Sequence, residues 1–363
     1  MTIKKIKVLV VDDSAFMRKA ISNMIDSDPS LEVVGTARDG EDGINKIASL
    51  KPDLVTLDIE MPRMDGLTAL KIIMEKTPLP VLMLSSLTVE GAHATLQALE
   101  MGAVDFIPKN LDNLSLNIVQ IRDDLVAKVK AVAYRRIAFK KTAPLHQMDL
   151  SRPGFQKPGP PAYANAMPQR SSHGKASIVA IGSSTGGPKA LQDVLSQIPK
   201  DFPVGIAIVQ HMPTSFIPPF AERLNQISSI QVKTAEDGEA IKPGVALIAP
   251  GEFHLTFRRV HSAEVRVKLN PEPSNSLHRP SVDQMALSAA QVYGGSSIGV
   301  ILTGMGHDGR DGMKAIKDSN GRIVAQNEET CVVYGMPKAV VDLGIADKIV
   351  PLSNVAGELL NMV

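Results

Sequence analysis

The chain has 363 residues, enough for two or three domains, and 44% of them are hydrophobic, so sizeable cores can be buried. A formal net charge of +1 supplies no bulk field for nucleic acid. The single cysteine, Cys331, excludes an internal disulfide and a Cys-rich zinc site and fits a reducing cytoplasm, and no apolar run approaches the ~20 residues of a membrane span. The opening MTIKKIKVLVVDD places lysines before an apolar run, but that run meets Asp12 and Asp13 too soon for a signal peptide.

Ile6–Val11 reads as a buried strand ending in Asp12-Asp13, and Ala15–Ile25 carries Met17, Ala20, Ile21, Met24 and Ile25 at helical spacing. Leu31–Gly35 is a second short strand, and Ile44, Ile47 and Leu50 stripe the helix after it. Leu54–Leu57 is a strand ending in Asp58, followed by the turn-rich MPRMDG and a third helix marked by Leu67, Leu70, Ile73 and Met74. Val81–Leu84 runs into Ser85-Ser86, and Val104–Ile107 into Pro108-Lys109. Strands alternating with helices in this way predict a doubly wound sheet of five parallel strands over residues 1–125.

In such a sheet the strand C-termini share one edge, so Asp12, Asp13, Asp58, Ser85 and Lys109 converge on one crevice. Packed carboxylates repel unless a hard cation joins them, and Mg²⁺ takes oxygen ligands. A carboxylate with Mg²⁺, a hydroxyl and an ammonium is what an aspartyl-phosphate site requires. Taken one at a time, these residues would be helix caps and a solvated lysine; their joint placement at successive strand ends favours the site.

Val126–Lys141 reads as a basic helix, with Lys128, Lys130, Arg135, Arg136, Lys140 and Lys141 on a solvated face, the alternative being a patch for nucleic acid or an acidic partner. Thr142–Gly174 is rich in Pro, Gly, Ser, Gln and Asn and poor in aliphatics, which predicts a flexible tether. Residues 126–175 are thus a linker, helical and then flexible.

From residue 176 to 363 strand signals recur at Ser177–Ile181, Gly205–Val209, Val245–Ile248, Ile298–Leu302 and Ile323–Ala325. Helical stripes fall at Ala190–Ile198, Phe216–Ile227, Val282–Tyr293 and Met313–Lys317, and Phe253–Arg258 with Val265–Leu269 reads as a hairpin. This is a second α/β unit, a mainly parallel sheet with an inserted hairpin. Its first strand runs into Gly182-Ser183-Ser184-Thr185-Gly186, a match to G-x-S-x-G ahead of a helix that carries Pro188 in its first turn. Such a turn projects a serine hydroxyl at the sheet edge, beside the N–H groups and partial positive charge of a helix start. A phosphate-binding loop is the alternative, weakened by the lack of a Walker lysine and of a full G-x-G-x-x-G. A nucleophilic serine needs a base and a group that orients it. His211 follows the strand Gly205–Val209 and Asp308 follows Ile298–Leu302. His254, His261, His278 and His307 compete for the first role, and Asp283 and Asp311 for the second.

Two resemblances narrow these choices. VLVVDDS, LVTLDIEMPRMDG, VLMLSS and VDFIPK resemble the receiver domain of two-component response regulators over roughly residues 5–125. That likeness implies Asp58 as phosphoacceptor, with Mg²⁺ held by Asp12, Asp13, Asp58 and the carbonyl of Glu60. It implies Ser85 as the switch hydroxyl, Lys109 as the phosphate-contacting lysine and Phe106 as the switch aromatic. IGSSTGG, QHMP, IAPG, HRPSVD, LTGMGHDG and AQNEETCVVYGMP resemble the catalytic domain of the chemotaxis protein-glutamate methylesterases, the CheB family.

On that second likeness Ser184 is the nucleophile, His211 the base and Asp308 its partner, with Thr185, Gly186 and Met305 near the substrate and the oxyanion. It implies a phosphorylation-activated hydrolysis of glutamate methyl esters on chemoreceptor cytoplasmic domains and deamidation of receptor glutamines. A chemotaxis histidine kinase would be the phosphodonor, the esterase site would need no cofactor, and the enzyme would be cytoplasmic, neither membrane-embedded nor bound to nucleic acid. Two positions depart from the family pattern: Ser183, where a smaller residue is usual, and His307, where a neutral amide is commoner and which brings a second imidazole near the site. A receiver-gated DNA-binding module is the competing class; no helix-turn-helix pattern supports it.

Overall fold

The computed structural model describes residues 5–109, 121–133, 176–261 and 264–363. The first unit runs β1 (Ile6–Val11), α1 (Ala15–Asp26), β2 (Leu31–Ala37), α2 (Gly40–Leu50), β3 (Leu54–Asp58), α3 (Gly66–Lys76), β4 (Val81–Ser85), α4 (Val89–Glu100), β5 (Asp105–Pro108) and a helix over 121–133, here α5. Its five strands pair in parallel in the order β2-β1-β3-β4-β5. Strands β3 and β4 are buried along their whole length, as near-continuous apolar runs covered on both faces must be. Helices α1 to α4 each start at a side-chain cap, from Ser14, Asp39, Asp65 and Thr88 in turn.

Helix α5 corrects one expectation. Residues 126–133 are not a solvated linker helix. Leu125, Val129, Val132 and Ala133 are buried in the same core as Ile6, Val8, Leu31 and Ile107 of the receiver-like sheet. The lysines that made this stretch look like an exposed basic face are turned to acidic partners. Lys128 Nζ lies 3.1 Å from Asp105, and Lys130 Nζ lies 2.9 Å from Asp28. The remaining basic residues of that stretch and the expected tether lie outside the described residues.

The second unit runs β6 (Ile178–Ser183), α6 (Gly187–Leu195), β7 (Gly205–Gln210), a short turn of 3₁₀ helix (Thr214–Phe216), α7 (Ile217–Ile227), β8 (Gln231–Thr234), β9 (Val245–Ile248), β10 (His254–His261), β11 (Glu264–Asn270), α8 (Val282–Tyr293), β12 (Ser297–Ile301), α9 (Arg310–Asp318), β13 (Arg322–Gln326), α10 (Met336–Val341), β14 (Lys348–Val350) and α11 (Leu352–Met362). Seven strands form a parallel sheet in the order β14-β13-β12-β6-β7-β9-β8. The expected hairpin forms, as an antiparallel pair β10-β11 apart from that sheet. Strands β8 and β14, which the apolar pattern does not reveal, are the two edges: short, and half-buried or exposed except at Val232. The strand order reverses at β6, which lies between β12 and β7, and a crevice opens at the carboxyl ends of strands at such a switch point.

The two units pack together. Helix α4 lies against α6, α7 and the turn Thr214–Phe216. Phe106 of β5 stacks on Phe216 with ring centroids 4.6 Å apart and planes 14° from parallel. Glu100 accepts hydrogen bonds from Arg223, through Nε and through Nη2 at 2.9 Å. A cleft of about 410 Å³, lined by His93, Gln97, Glu100, Glu222, Arg223 and Gln226, lies between α4 and α7.

The buried face of α5 sets an expected outcome. Leu125→Ala should cost ~2–5 kcal/mol of receiver stability through transfer and cavity terms. Urea unfolding of the full chain measures it. A change within about 0.5 kcal/mol, the range of an exposed site, would contradict the packing.

Candidate functional site

Strand β6 ends at Ser183, and the chain then turns through Ser184 and Thr185 into α6. The Ser184 N–H donates to the Thr303 carbonyl (3.1 Å), and its carbonyl accepts from the Gly187 N–H (2.7 Å). Gly186 holds the turn at φ +76°, and a Cβ there would come within 2.5 Å of Val332. The two adjacent serines have different environments. Ser183 is buried, and its hydroxyl donates to Gln210 Oε1 (2.7 Å). Gln210 Nε2 in turn donates to the carbonyls of Ser184 and His211, each at 3.0 Å. Ser184 stands half-buried at the crevice. The polar side chain at Ser183 is therefore part of a clamp that ties the end of β6 to the end of β7. Gln210, the first residue of QHMP, was missed as a site residue; a polar side chain closing an otherwise apolar strand was the available signal.

His211 directly follows β7, and its N–H donates to the Ser183 carbonyl (3.0 Å), which sets it beside Ser184 past the ends of the parallel pair β6-β7. Its Nε2 lies 2.8 Å from Asp308 Oδ2, while its Nδ1 is buried with no hydrogen-bond partner. A carboxylate only accepts, so Nε2 carries the proton and the lone pair is left on Nδ1. Asp308 follows β12 and sits at the N-terminus of α8. Its carboxylate accepts from the Val282 N–H (2.7 Å), the Asp283 N–H (3.0 Å) and the Ser281 hydroxyl (2.8 Å) as well as from His211. Burial alone would raise its pKa, but His211 and the helix N–H groups hold it well below the usual carboxylate range.

The competing residues have other tasks. Burial pushes the Asp283 carboxyl upward, and it accepts from the Gly312 N–H (2.7 Å), joining α8 to α9. Asp311 is paired with the neighbouring Arg310 (2.8 Å). His254 is fully buried; its Nδ1 accepts from the Ser281 N–H (3.2 Å) and its Nε2 donates to the Pro273 carbonyl (3.3 Å). His261 and His307 are exposed. The ring that reaches the His211 ring is that of His278, with centroids 4.0 Å apart and planes 19° from parallel. Thr185 is buried, its carbonyl accepting from Thr303 Oγ1 (2.9 Å). Met305 is half-buried, one residue past Gly304, where a Cβ would stand 2.9 Å from Ser184 Cβ. Thr185, Gly186 and Met305 thus flank Ser184.

A second cluster lies at the carboxyl ends of β1 and β3. Carboxylate oxygens of Asp12, Asp13 and Asp58 come within 4.8 Å of one another. Lys109 Nζ lies 2.7 Å from both Asp12 and Asp58. Burial pushes Asp58 up to about 6 against the pull of Lys109, with the Asp12 charge adding to the rise. Burial would lower Lys109, but its two carboxylate partners raise it instead. The Glu60 N–H points at Asp58 Oδ1 (3.4 Å), and the Glu60 side chain is exposed. An all-oxygen donor set around one gap fits a hard divalent cation. The Ser85 hydroxyl is buried and turned toward α4, accepting from Thr95 Oγ1 (2.6 Å) and donating to the Ser86 carbonyl (3.0 Å). Phe106 is buried in the stack with Phe216.

These arrangements have close counterparts. The CheB methylesterase family profile matches residues 179–359, and that of the response regulator receiver domain matches residues 8–119. A protein-glutamate methylesterase/protein-glutamine glutaminase of Oleidesulfovibrio alaskensis is 51% identical, over 99% of each chain. One from Pyrococcus horikoshii is 44% identical, over 97% of this chain and 92% of its own. The crystal structure of the Thermotoga maritima CheB methylesterase catalytic domain superposes with a TM-score of 0.51 at 43% identity, covering 52% of this chain and all of that one. With a receiver domain ahead of a catalytic domain, and with relatives matching it from end to end, the chain belongs to the CheB family of protein-glutamate methylesterases.

Proposed function

We propose that this protein is a phosphorylation-gated serine esterase that removes methyl groups from glutamate side chains of chemoreceptor cytoplasmic domains and deamidates receptor glutamines. The observation that carries the reading is the hydrogen bond of His211 to an Asp308 held ionised at a helix N-terminus, one strand away from Ser184. In the reaction Ser184 Oγ attacks the ester carbonyl carbon while His211 Nδ1 takes its proton. Asp308 stabilises the resulting imidazolium without itself taking a proton. The negative charge moves to the carbonyl oxygen, close to the partial positive end of α6, which starts just past Ser184. The tetrahedral species collapses, the C–O bond to methoxide breaks, and His211 returns the proton so that methanol leaves. Water, deprotonated by the same nitrogen, then cleaves the acyl-serine and frees the glutamate carboxylate. A glutamine follows the same path and releases ammonia.

Asp58 is the phosphoacceptor on this reading, supplied by a chemotaxis histidine kinase in the cytoplasm. Asp12, Asp13, Asp58 and the Glu60 carbonyl would hold Mg²⁺, which when bound neutralises charge on the incoming phosphoryl group. Lys109 stands ready to contact the phosphoryl oxygens. Among the described residues no helix is long and apolar enough to cross a membrane, and the substrate is reached at the receptor's cytoplasmic part.

Regulation follows from the packing of the two units. Helix α4 of the receiver packs against α6, which starts just past Ser184, and against the turn Thr214–Phe216, which starts just past His211. A phosphoryl group on Asp58 would attract the Ser85 hydroxyl away from Thr95 of α4 and free Phe106 from Phe216, loosening the docked face. A coupling of ~1–3 kcal/mol corresponds to about 5–150-fold activation.

Methanol release from methylated receptor membranes tests the chemistry. Ser184→Ala should lose on the order of 10³-fold or more in turnover, while Ser183→Ala, which removes only a clamp hydroxyl, should keep most of it. The reverse ranking would overturn the assignment of the nucleophile.

The gate has its own test with acetyl phosphate as donor. Activation should need Mg²⁺ and vanish on its removal by chelation or in Asp58→Asn, whereas removal of residues 1–145 should raise the basal rate within the about 5–150-fold bound. A truncated enzyme no faster than the unphosphorylated full chain would show that the receiver does not occlude the site.

A further inference from the structure

The contact that the reaction above leaves unused is the stack of His278 on His211. His278 lies in the segment between β11 and α8, two residues before Pro280 and three before Ser281, whose hydroxyl binds Asp308. Its ring is face to face with the His211 ring, at 4.0 Å and 19°. Burial, and then the neighbouring His211, bring His278 down to about 4, so near neutral pH it presents an uncharged aromatic face.

His211 must hold Nδ1 toward Ser184 twice in each turnover, once to take a proton and once to activate water. Its hydrogen bond to Asp308 fixes Nε2 only. The torsion that tilts a histidine ring is broad and roughly two-fold, so one anchored atom leaves the ring plane free to swing. A flat ring packed on its face removes that freedom. It also favours the charged state through which His211 passes, because an imidazolium above a neutral ring is a cation–π pair.

We infer that His278 is a positioning residue of the esterase, an uncharged aromatic platform that holds the plane of the His211 base and supports its imidazolium. The inference rests on the reading of Ser184, His211 and Asp308 as the catalytic set. It assigns His278 a role through its ring face and not through its ring nitrogens, and this separates it from an acid, a base or a substrate ligand.

Four variants of the full chain, activated by acetyl phosphate with Mg²⁺, test it by methanol release from methylated receptor membranes. His278→Ala should lower kcat by up to about 10²-fold, the scale of a misplaced catalytic group, with KM little changed. His278→Phe, which keeps an aromatic face and has no nitrogen, should recover most of kcat. His278→Gln, which keeps hydrogen-bonding atoms and has no aromatic face, should not. The role is overturned if His278→Ala keeps its kcat, if its loss falls on KM, or if His278→Phe is no better than His278→Ala. Release that survives in Ser184→Ala overturns the catalytic set and this inference with it. Release lost in Ser184→Ala but untouched in His278→Ala overturns the positioning role alone.

Discussion

The second unit is organised around one buried carboxylate. Asp308 could not remain ionised away from water without compensating donors, and it has four: two N–H groups and a capping hydroxyl at the start of α8, and the His211 ring. This set decides the chemistry of the neighbouring residue. Because the charge is kept on Asp308, the proton of His211 is kept on Nε2, and the lone pair is directed to Nδ1. The strand order then places His211 beside Ser184 at the ends of β7 and β6. Strands β12, β6 and β7 are adjacent, and each contributes one member of the set from the loop at its carboxyl end. Ser281 serves two purposes at once, since its hydroxyl both binds Asp308 and caps α8 through the Gln284 N–H.

Among the described residues, contacts between the two units fall on elements next to each candidate site. The Ser85 hydroxyl reaches Thr95 in α4, the helix that packs against α6 and α7. Phe106 reaches Phe216, in the short turn after His211. Lys128 of α5 donates to the Phe106 carbonyl (3.0 Å) and so ties the last receiver helix to the same strand. Glu100 and Arg223 form a partly exposed ion pair, which is worth little by itself and is easily exchanged for water. Separating the two units would uncover apolar side chains, since Leu96, Phe106 and Phe216 belong to one buried cluster that runs through both.

Much of the site was legible in the sequence, because strand ends are punctuated by polar residues that apolar runs make conspicuous. Asp12, Asp58, Ser184, His211 and Asp308 all stood out for that reason. The choice of Ser184 over Ser183 rests on the centre of G-x-S-x-G, and the bond of Ser183 to Gln210 supports it. Contacts between distant segments were not legible. The stack of His278 on His211 depends on where one loop lies, and no spacing rule reports it; His307, beside Asp308 in sequence, was the more obvious second imidazole and is exposed. Residues 126–133 of α5 read as linker because lysines dominate their text, while Val129 and Val132 carry their packing. The edge strands β8 and β14 lack an apolar run because an edge is only half covered.

Everything proposed for the esterase depends on Asp308 fixing the proton of His211 on Nε2 and leaving Nδ1 as the base. Nitrogen-15 NMR of the imidazole side chains, with His211 assigned by comparison with a His211→Gln variant, tests it most directly. At a pH where His211 is neutral, the expected result is a protonated Nε2 and an unprotonated Nδ1. A neutral ring with its proton on Nδ1 would contradict it, because the lone pair would then face Asp308 and Ser184 would have no base.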